Sequence, residues 1–157
     1  MAPRLYVESS IVSYLTARPS RDLIMAARQA ITQEWWLERR THFELVTSEA
    51  VLEEAAAGDA SFAQSRVDLL KSMRLLTITE GVEVLAGRLI DEGPLPSTAY
   101  FDALHIATAA LHGVEYLMTW NCRHIANAAM RPGIERLCRL CGHEPPILCT
   151  PEELIDD

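Results

Sequence analysis

The stretch STAYFDALHIATAALHGVEYLMTW, residues 97–120, decides the fold. Residues 97–113 are apolar almost all the way round at helical spacing, and Gly113 stands where a helix would end. VEYLMTW follows at once with the apolar and aromatic content of a strand. A helix running straight into a buried strand is half of a β-α-β unit, and the chain on either side repeats the alternation.

Upstream, RLYVES (4–9) reads as a strand and SIVSYLTA as a helix. Ser20 is placed to cap a helix over 21–40, with Leu23, Ile24, Ala27, Ile31 and Trp35 as its apolar stripe. Of Trp35 and Trp36, one is expected in the core and the other at a partner surface. FELVTS (43–48) is a second strand, after which Ser48 caps EAVLEEAAAG and Gly58 ends it. A helix over 59–73, a brief strand over 75–78 and a helix over 80–93 precede the opening stretch. Beyond it come a short helix around CRHIANAAM (122–130), a helix over 132–140, a strand PILCT (146–150) and a tail. Strands alternating with helices predict an α/β fold: a parallel β-sheet sandwiched between helices in three layers, with ligands at the carboxyl ends of the strands.

The length of 157 residues fits a single domain over 1–157, and 49% apolar with 23% charged residues is the balance of a soluble globular chain. No apolar run approaches a membrane span and MAPRLYVE lacks the apolar core of a signal peptide, so a cytoplasmic location is expected. Cys122, Cys138, Cys141 and Cys149 are confined to the last quarter of the chain, unlike a disulfide framework, and read as reduced thiols. The spacing of Cys138, Cys141, His143 and Cys149 permits a zinc site, but the first two also fit one buried helix face as small thiols.

The net charge of −8 argues against a broad basic surface for duplex binding. It leaves room for a carboxylate site whose charge a divalent metal offsets. Of the fourteen basic residues thirteen are Arg, and the early group Arg18, Arg21, Arg28, Arg39 and Arg40 reads as a solvated helix face. No phosphate-cradling glycine pattern and no nucleophile-histidine-acid order is present, and ESS after the first strand excludes an aspartyl-phosphate phosphatase.

Asp102 sits in the first turn of the opening helix with Thr98, Ala99, His105 and Ile106 as its helical neighbours, so no basic partner lies a turn away. A carboxylate so placed is either satisfied by helix N–H groups or part of a site. Glu8 ends the first strand at the rim where this class binds ligands. Glu53 and Glu54, in VLEEAAAGD, are consecutive helix acids of which one is expected to face solvent, and Glu54 lies four residues before Gly58. Asn121 follows the late strand at the same rim. Together they form an oxygen-only set suited to Mg²⁺ or Mn²⁺. His105, one turn after Asp102, reads as a core histidine bonded to backbone, with support of the acid set as its other reading, and His124, beside Arg123, as a contact to substrate phosphate or a surface residue.

LYVESSIVSYL, SEAVLEEAAAGD, DALHIATAA and YLMTWNCRHIAN resemble the successive motifs of the PIN domain, the fold of the toxins in VapBC-type toxin-antitoxin pairs, in a branch with Glu in place of the first Asp. The resemblance runs over roughly residues 4–150. It implies a metal-dependent endoribonuclease that hydrolyses RNA phosphodiester bonds, with Glu8, Glu54, Asp102 and Asn121 as the catalytic set. Mg²⁺ or Mn²⁺ would be held by Glu8, Asp102 and Asn121, with Ser10 and Thr119 in support and Arg123 and His124 toward the substrate. It also implies a small antitoxin partner and a homodimer. The longer Glu8 and the neutral Asn121 depart from the family pattern, and a catalytically weak RNA-binding or protein-interaction module is the alternative.

Overall fold

The computed structural model describes residues 2–156. Five strands form one sheet: β1 (Arg4–Val7), β2 (Glu44–Ser48), β3 (Arg74–Leu76), β4 (Tyr116–Met118) and β5 (Ile147–Cys149). Their order is β3-β2-β1-β4-β5 and every neighbouring pair is parallel. Among the described residues seven helices connect and flank them: α1 (Ser9–Thr16), α2 (Leu23–Glu38), α3 (Glu49–Ala57), α4 (Ala60–Lys71), α5 (Glu80–Asp91), α6 (Tyr100–Leu111) and α7 (Arg131–Leu140). The result is the expected three-layer α/β/α arrangement. The chain builds outward from β1 to β3 on one side and then returns to lay β4 and β5 on the other. β1 and β4 therefore flank the point where strand order reverses, and parallel sheets open a ligand crevice there.

The central strand explains its own position. Leu5, Tyr6 and Val7 are fully buried, as a strand covered by helices on both faces must be. Val7 pairs with Met118 in register, and the Glu8 amide donates to the Met118 carbonyl at 3.3 Å. Both chains thus leave the sheet at the same level, which sets Glu8 beside Thr119. The opening stretch behaves as read, with Ser97–Ala99 as a 3-10 turn, α6 buried from Ala103 to Ala110, and Gly113 at φ 67° reversing the chain into β4.

Three local expectations are corrected. Only the later part of the apolar stripe of α2 is buried: Trp35 is in the core and Ile31 packs against it, but Leu23 and Ile24 are 85% and 65% exposed, and the polar Gln29 and Thr32 are buried instead. The inward polar residues each have a partner. Gln29 accepts from the Ser20 amide and donates to the Arg18 carbonyl, closing the α1–α2 connection, and Thr32 accepts the Trp120 indole N–H at 2.7 Å. Asp22, not Ser20, caps α2 through its carboxylate to the Met25 amide. Residues 122–130 are not helical, because the side-chain carbonyls of Asn121 and Asn127 accept nearby amides and fold the segment into turns. Trp35 is the core member of its pair, while Trp36 lies half-buried beneath the Arg40 guanidinium.

Trp120 lies in the segment after β4, and its indole bond to Thr32 ties that segment to α2. Thr32→Val keeps the volume but orphans a buried N–H. We expect a loss of about 1–3 kcal/mol in urea unfolding, and an unchanged midpoint would show that the bond does not anchor the segment.

Candidate metal centre

Glu8 carries two roles at once. It is the N-cap of α1, its Oε2 accepting from the Ser10 amide at 3.0 Å and from Ser9 Oγ at 2.6 Å. Its Oε1 accepts from Ser10 Oγ at 2.6 Å and, through a very short bond, from Thr119 Oγ1. Ser10 Oγ in turn accepts the Trp120 amide, and Thr119 Oγ1 accepts the Asn121 amide. The hydroxyls at positions 10 and 119 are thereby oriented to donate to the carboxylate. Capping and clustering both draw on the ESS wording of the sequence.

Glu54 reaches the same place from α3. Glu53 beside it is exposed, as its neighbour's role requires. Glu54 Oε1 meets His105 Nε2 at 2.5 Å and lies 3.1 Å from Ser9 Oγ. His105 is fully buried on α6, and its Nδ1 meets the Tyr6 hydroxyl at 2.8 Å; that hydroxyl is 2.6 Å from Ser48 Oγ. This last contact explains why Ser48 occupies the cap position of α3 without bonding a helix amide. A continuous polar line therefore runs Ser48, Tyr6, His105, Glu54, Ser9, Glu8. The ligand atoms of Glu8, Glu54 and His105 all lie within 4.8 Å of one another.

The titration of these groups is shared. Burial pushes the Glu8 carboxyl up, but the His105 charge and the hydroxyls of Ser10, Ser9 and Thr119 outweigh it and hold it below the usual range. Burial pushes His105 down, yet its bond to Glu54 and the charges of Glu8, Glu54 and Asp102 leave it raised. Burial drives Tyr6 far up, so it stays a neutral hydroxyl. With His105 protonated, both ring N–H groups donate, to Tyr6 and to Glu54, and Tyr6 is free to donate to Ser48.

The remaining sequence-predicted residues fall close by with different partners. Asp102 is half-buried, and its Oδ2 meets His124 Nδ1 at 2.9 Å, a basic partner from β4's trailing segment rather than from its own helix. Asp102 lies near enough to raise His105, although it stands outside the 4.8 Å group. Asn121 Oδ1 accepts the amides of Arg123 and His124 and so shapes the turn that presents His124. The Arg123 side chain is exposed, and no ion pair engages it among the described residues. The structure thus brings Glu8, Glu54, Ser10 and Thr119 together, and sets Asp102 and Asn121 around His124.

His105 was the residue sequence reasoning misjudged: it bonds side chains, not backbone. Its position three residues after Asp102, on the same helix face, was the available signal. The zinc reading of the cysteines is also overturned. Among the described residues no cysteine joins a metal-capable group. Cys138 and Cys149 are buried thiols, each pushed up to about 12 by burial, and Cys141 instead faces Arg88 at 3.1 Å.

Comparison with known proteins agrees with this geometry. The family model of the PIN domain matches residues 5–128. The Mycobacterium tuberculosis toxin VapC20, which cleaves the sarcin-ricin loop, superposes with a TM-score of 0.57 at 19% identity, over 76% of this chain and 91% of that one. A chain of VapBC2 from Rickettsia felis, solved on a promoter DNA fragment, superposes with a TM-score of 0.50 at 15% identity, over 76% and 89%. At these identities the likeness is one of fold. No curated protein sequence matches the chain closely enough to count as a relative.

The pH dependence of the metal-free protein follows from the two shifts. His105 is raised, so its contribution is complete below the ordinary imidazole pKa of about 6.5 and is lost as pH climbs through the folded value. Glu8 is lowered, so its contribution is complete above the ordinary carboxyl value of about 4.3 and is lost as pH falls through the folded one. The stability difference between wild type and His105→Gln in EDTA should therefore peak between those values and shrink toward alkaline pH. A difference that grows with pH would contradict the charge assigned to His105.

Proposed function

The chain belongs to the PIN domain family, and on that premise we propose that it acts, as one domain, as a metal-dependent endoribonuclease hydrolysing RNA phosphodiester bonds. The observation that carries the reading is the meeting of Glu8 and Glu54 at the β1/β4 rim, with Asp102 near enough to act on the same histidine. Two carboxylates with ligand atoms so close, in a pocket with an excess of negative charge, suit a hard divalent cation. Glu8 and Glu54 would hold it, with Asp102 and Asn121 as further oxygen donors. The ion supplies Lewis acidity that polarises the scissile phosphate and makes a water acidic enough to attack at neutral pH. Mg²⁺ or Mn²⁺ fits the oxygen donors, and the nearby imidazole favours Mn²⁺ of the two.

This chain's own groups do the positioning. His105 fixes the Glu54 carboxylate through Nε2 and is itself fixed by Tyr6 through Nδ1. Ser10 and Thr119 orient Glu8. His124, held by Asp102 and by the Asn121 turn, presents its imidazole edge beside the exposed Arg123, where both can meet the phosphates of an RNA strand. The fold likeness to VapC20 and to VapBC2 supports a role as the toxin of a toxin-antitoxin pair, with a small antitoxin as partner and a homodimer as the assembly. Among the described residues no helix is long and apolar enough to cross a membrane; a cytoplasmic site of action accords with an RNA substrate.

One observation favours a second reading. All the oxygens of Glu8 are taken by hydroxyl and amide donors, and Asn121 Oδ1 by two amides. A site satisfied internally binds metal weakly, which would leave a binding module.

Two measurements separate the readings. Mn²⁺ titrated into the protein should saturate a site that Glu54→Gln removes. Asp102→Asn should abolish Mn²⁺-dependent cleavage of single-stranded RNA with an unchanged circular dichroism spectrum. Wild-type turnover in that variant would sink the nuclease reading, and absence of any saturable site would favour the binding module.

A further inference from the structure

A cavity of about 620 Å³ opens directly from Glu54 and is walled by Ser13, Ala17, Arg18, Gly58, Phe62 and Arg66. Its walls are continuations of the helices that build the acidic centre. Along α1 and its C-cap, Ser9, Ser13 and Ala17 recur every four residues, so one helix face runs from the carboxylates into the cavity. Along α3, Glu54 and Gly58 do the same.

The chemistry of the walls differs from that of the centre. The Arg18 guanidinium stands 5.7 Å over the centroid of the half-buried Phe62 ring. Arg66 is 5% exposed and donates from Nε to the Ala55 carbonyl at 2.8 Å and from Nη2 to the Asp59 carbonyl at 2.9 Å. Those partners are neutral, and among the described residues no carboxylate lies within ion-pair distance of it. Asp59 is committed elsewhere, its carboxylate capping α4 through the Ser61 amide. A Cβ on Gly58 would come within 2.8 Å of Arg66 Nη2, so the glycine keeps room for the guanidinium. Glu54 and Asp59 also line the cavity, so its two guanidiniums offset two carboxylates, and what sets it apart on a chain of net charge −8 is a guanidinium set against an aromatic face.

We propose that this cavity is a nucleotide subsite, in which one unpaired base of a single-stranded RNA stacks on Phe62 and Arg18. Arg66 adds positive potential for the adjoining phosphate, and the next phosphate along the strand then reaches Glu54. This rests on the ribonuclease reading and deepens it by naming the substrate form: a base free of its stack. Unstacked bases are recognised on aromatic and guanidinium planes, whereas a base held in a duplex cannot enter without unpairing. The volume lies within the roughly 300–1,000 Å³ of ordinary ligand pockets.

The test uses the full chain in EDTA, where metal-dependent turnover is absent, and reads fluorescence anisotropy of a labelled single-stranded hexaribonucleotide against versions with one abasic position each. Wild type should lose about 5- to 100-fold in affinity for one abasic position. Phe62→Ala should erase that discrimination, Phe62→Trp should keep it, and Arg18→Gln should reduce it. Discrimination retained by Phe62→Ala, or an abasic scan with no cost at any position in wild type, overturns the proposal. Should Phe62→Ala fail to fold, the wild-type scan together with Arg18→Gln decides. In Mn²⁺, Phe62→Ala should raise KM for cleavage and leave kcat near wild type. Discrimination without any cleavage would remove the nuclease reading and keep the subsite, and cleavage without discrimination would do the reverse.

Discussion

A buried imidazole wedged among carboxylates sets the terms at this edge of the sheet. Glu8, Glu54 and Asp102 repel one another, and two of them are largely withdrawn from water. Left alone, such a group would take up protons to relieve the repulsion. His105 removes that need by carrying the positive charge itself, with Glu54 on one nitrogen and Tyr6 on the other. Tyr6 is the fixed end of the arrangement because it belongs to the central strand, with no exposure and with Ser48 of the neighbouring strand behind it. The charge balance of the site is thus written into the core.

The location is a consequence of topology. Since the chain reverses its direction of sheet growth between β1 and β4, the residues leaving those two strands face each other with no crossover helix between them. Short hydroxyl side chains occupy both exits, Ser9 and Ser10 after β1 and Thr119 after β4. A larger residue at any of these would separate Glu8 from the β4 segment. The helices supply the rest: α3 delivers Glu54, and α6 delivers Asp102 and His105 one turn apart on a mostly apolar helix. Such a residue is costly unless a partner waits, and here each has one.

Much of this was legible in the sequence because it depends on periodicity and strand ends. The opening stretch is legible as helix and strand because apolar burial of α6 is nearly complete, and Asp102 stands out in it as an acid without a helical partner, whereas Glu8 and Glu54 are singled out by the family resemblance. The inward face of α2 was hidden, because Gln29 and Thr32 are buried through partners distant in the chain, Arg18 and Trp120, which no local pattern announces. The partner of Asp102 was hidden for the same reason: His124 lies 22 residues away and is presented by a turn that side-chain carbonyls build. The cysteines were legible as thiols: Cys138 and Cys149 are buried on a helix and a strand, and Cys141 ends that helix facing Arg88.

The saturation of Glu8 bears on how a cation would enter. A carboxylate accepts about four hydrogen bonds, and Glu8 already accepts that many. An ion bound there must therefore displace a donor, and a displaced hydroxyl is inexpensive only if another acceptor is in reach. Ser9 has one: its Oγ stands 3.1 Å from Glu54 Oε1, so rotation of a single O–H opens one acceptor position on Glu8 Oε2, which keeps the Ser10 amide, without orphaning the donor. That same rotation adds a donor to Glu54 Oε1, which already faces His105 Nε2. Ser9 is in this sense the movable part of the centre, while Ser10 and Thr119 are held by the backbone amides that donate to them. The ESS sequence combines one adjustable hydroxyl with one fixed one beside a carboxylate.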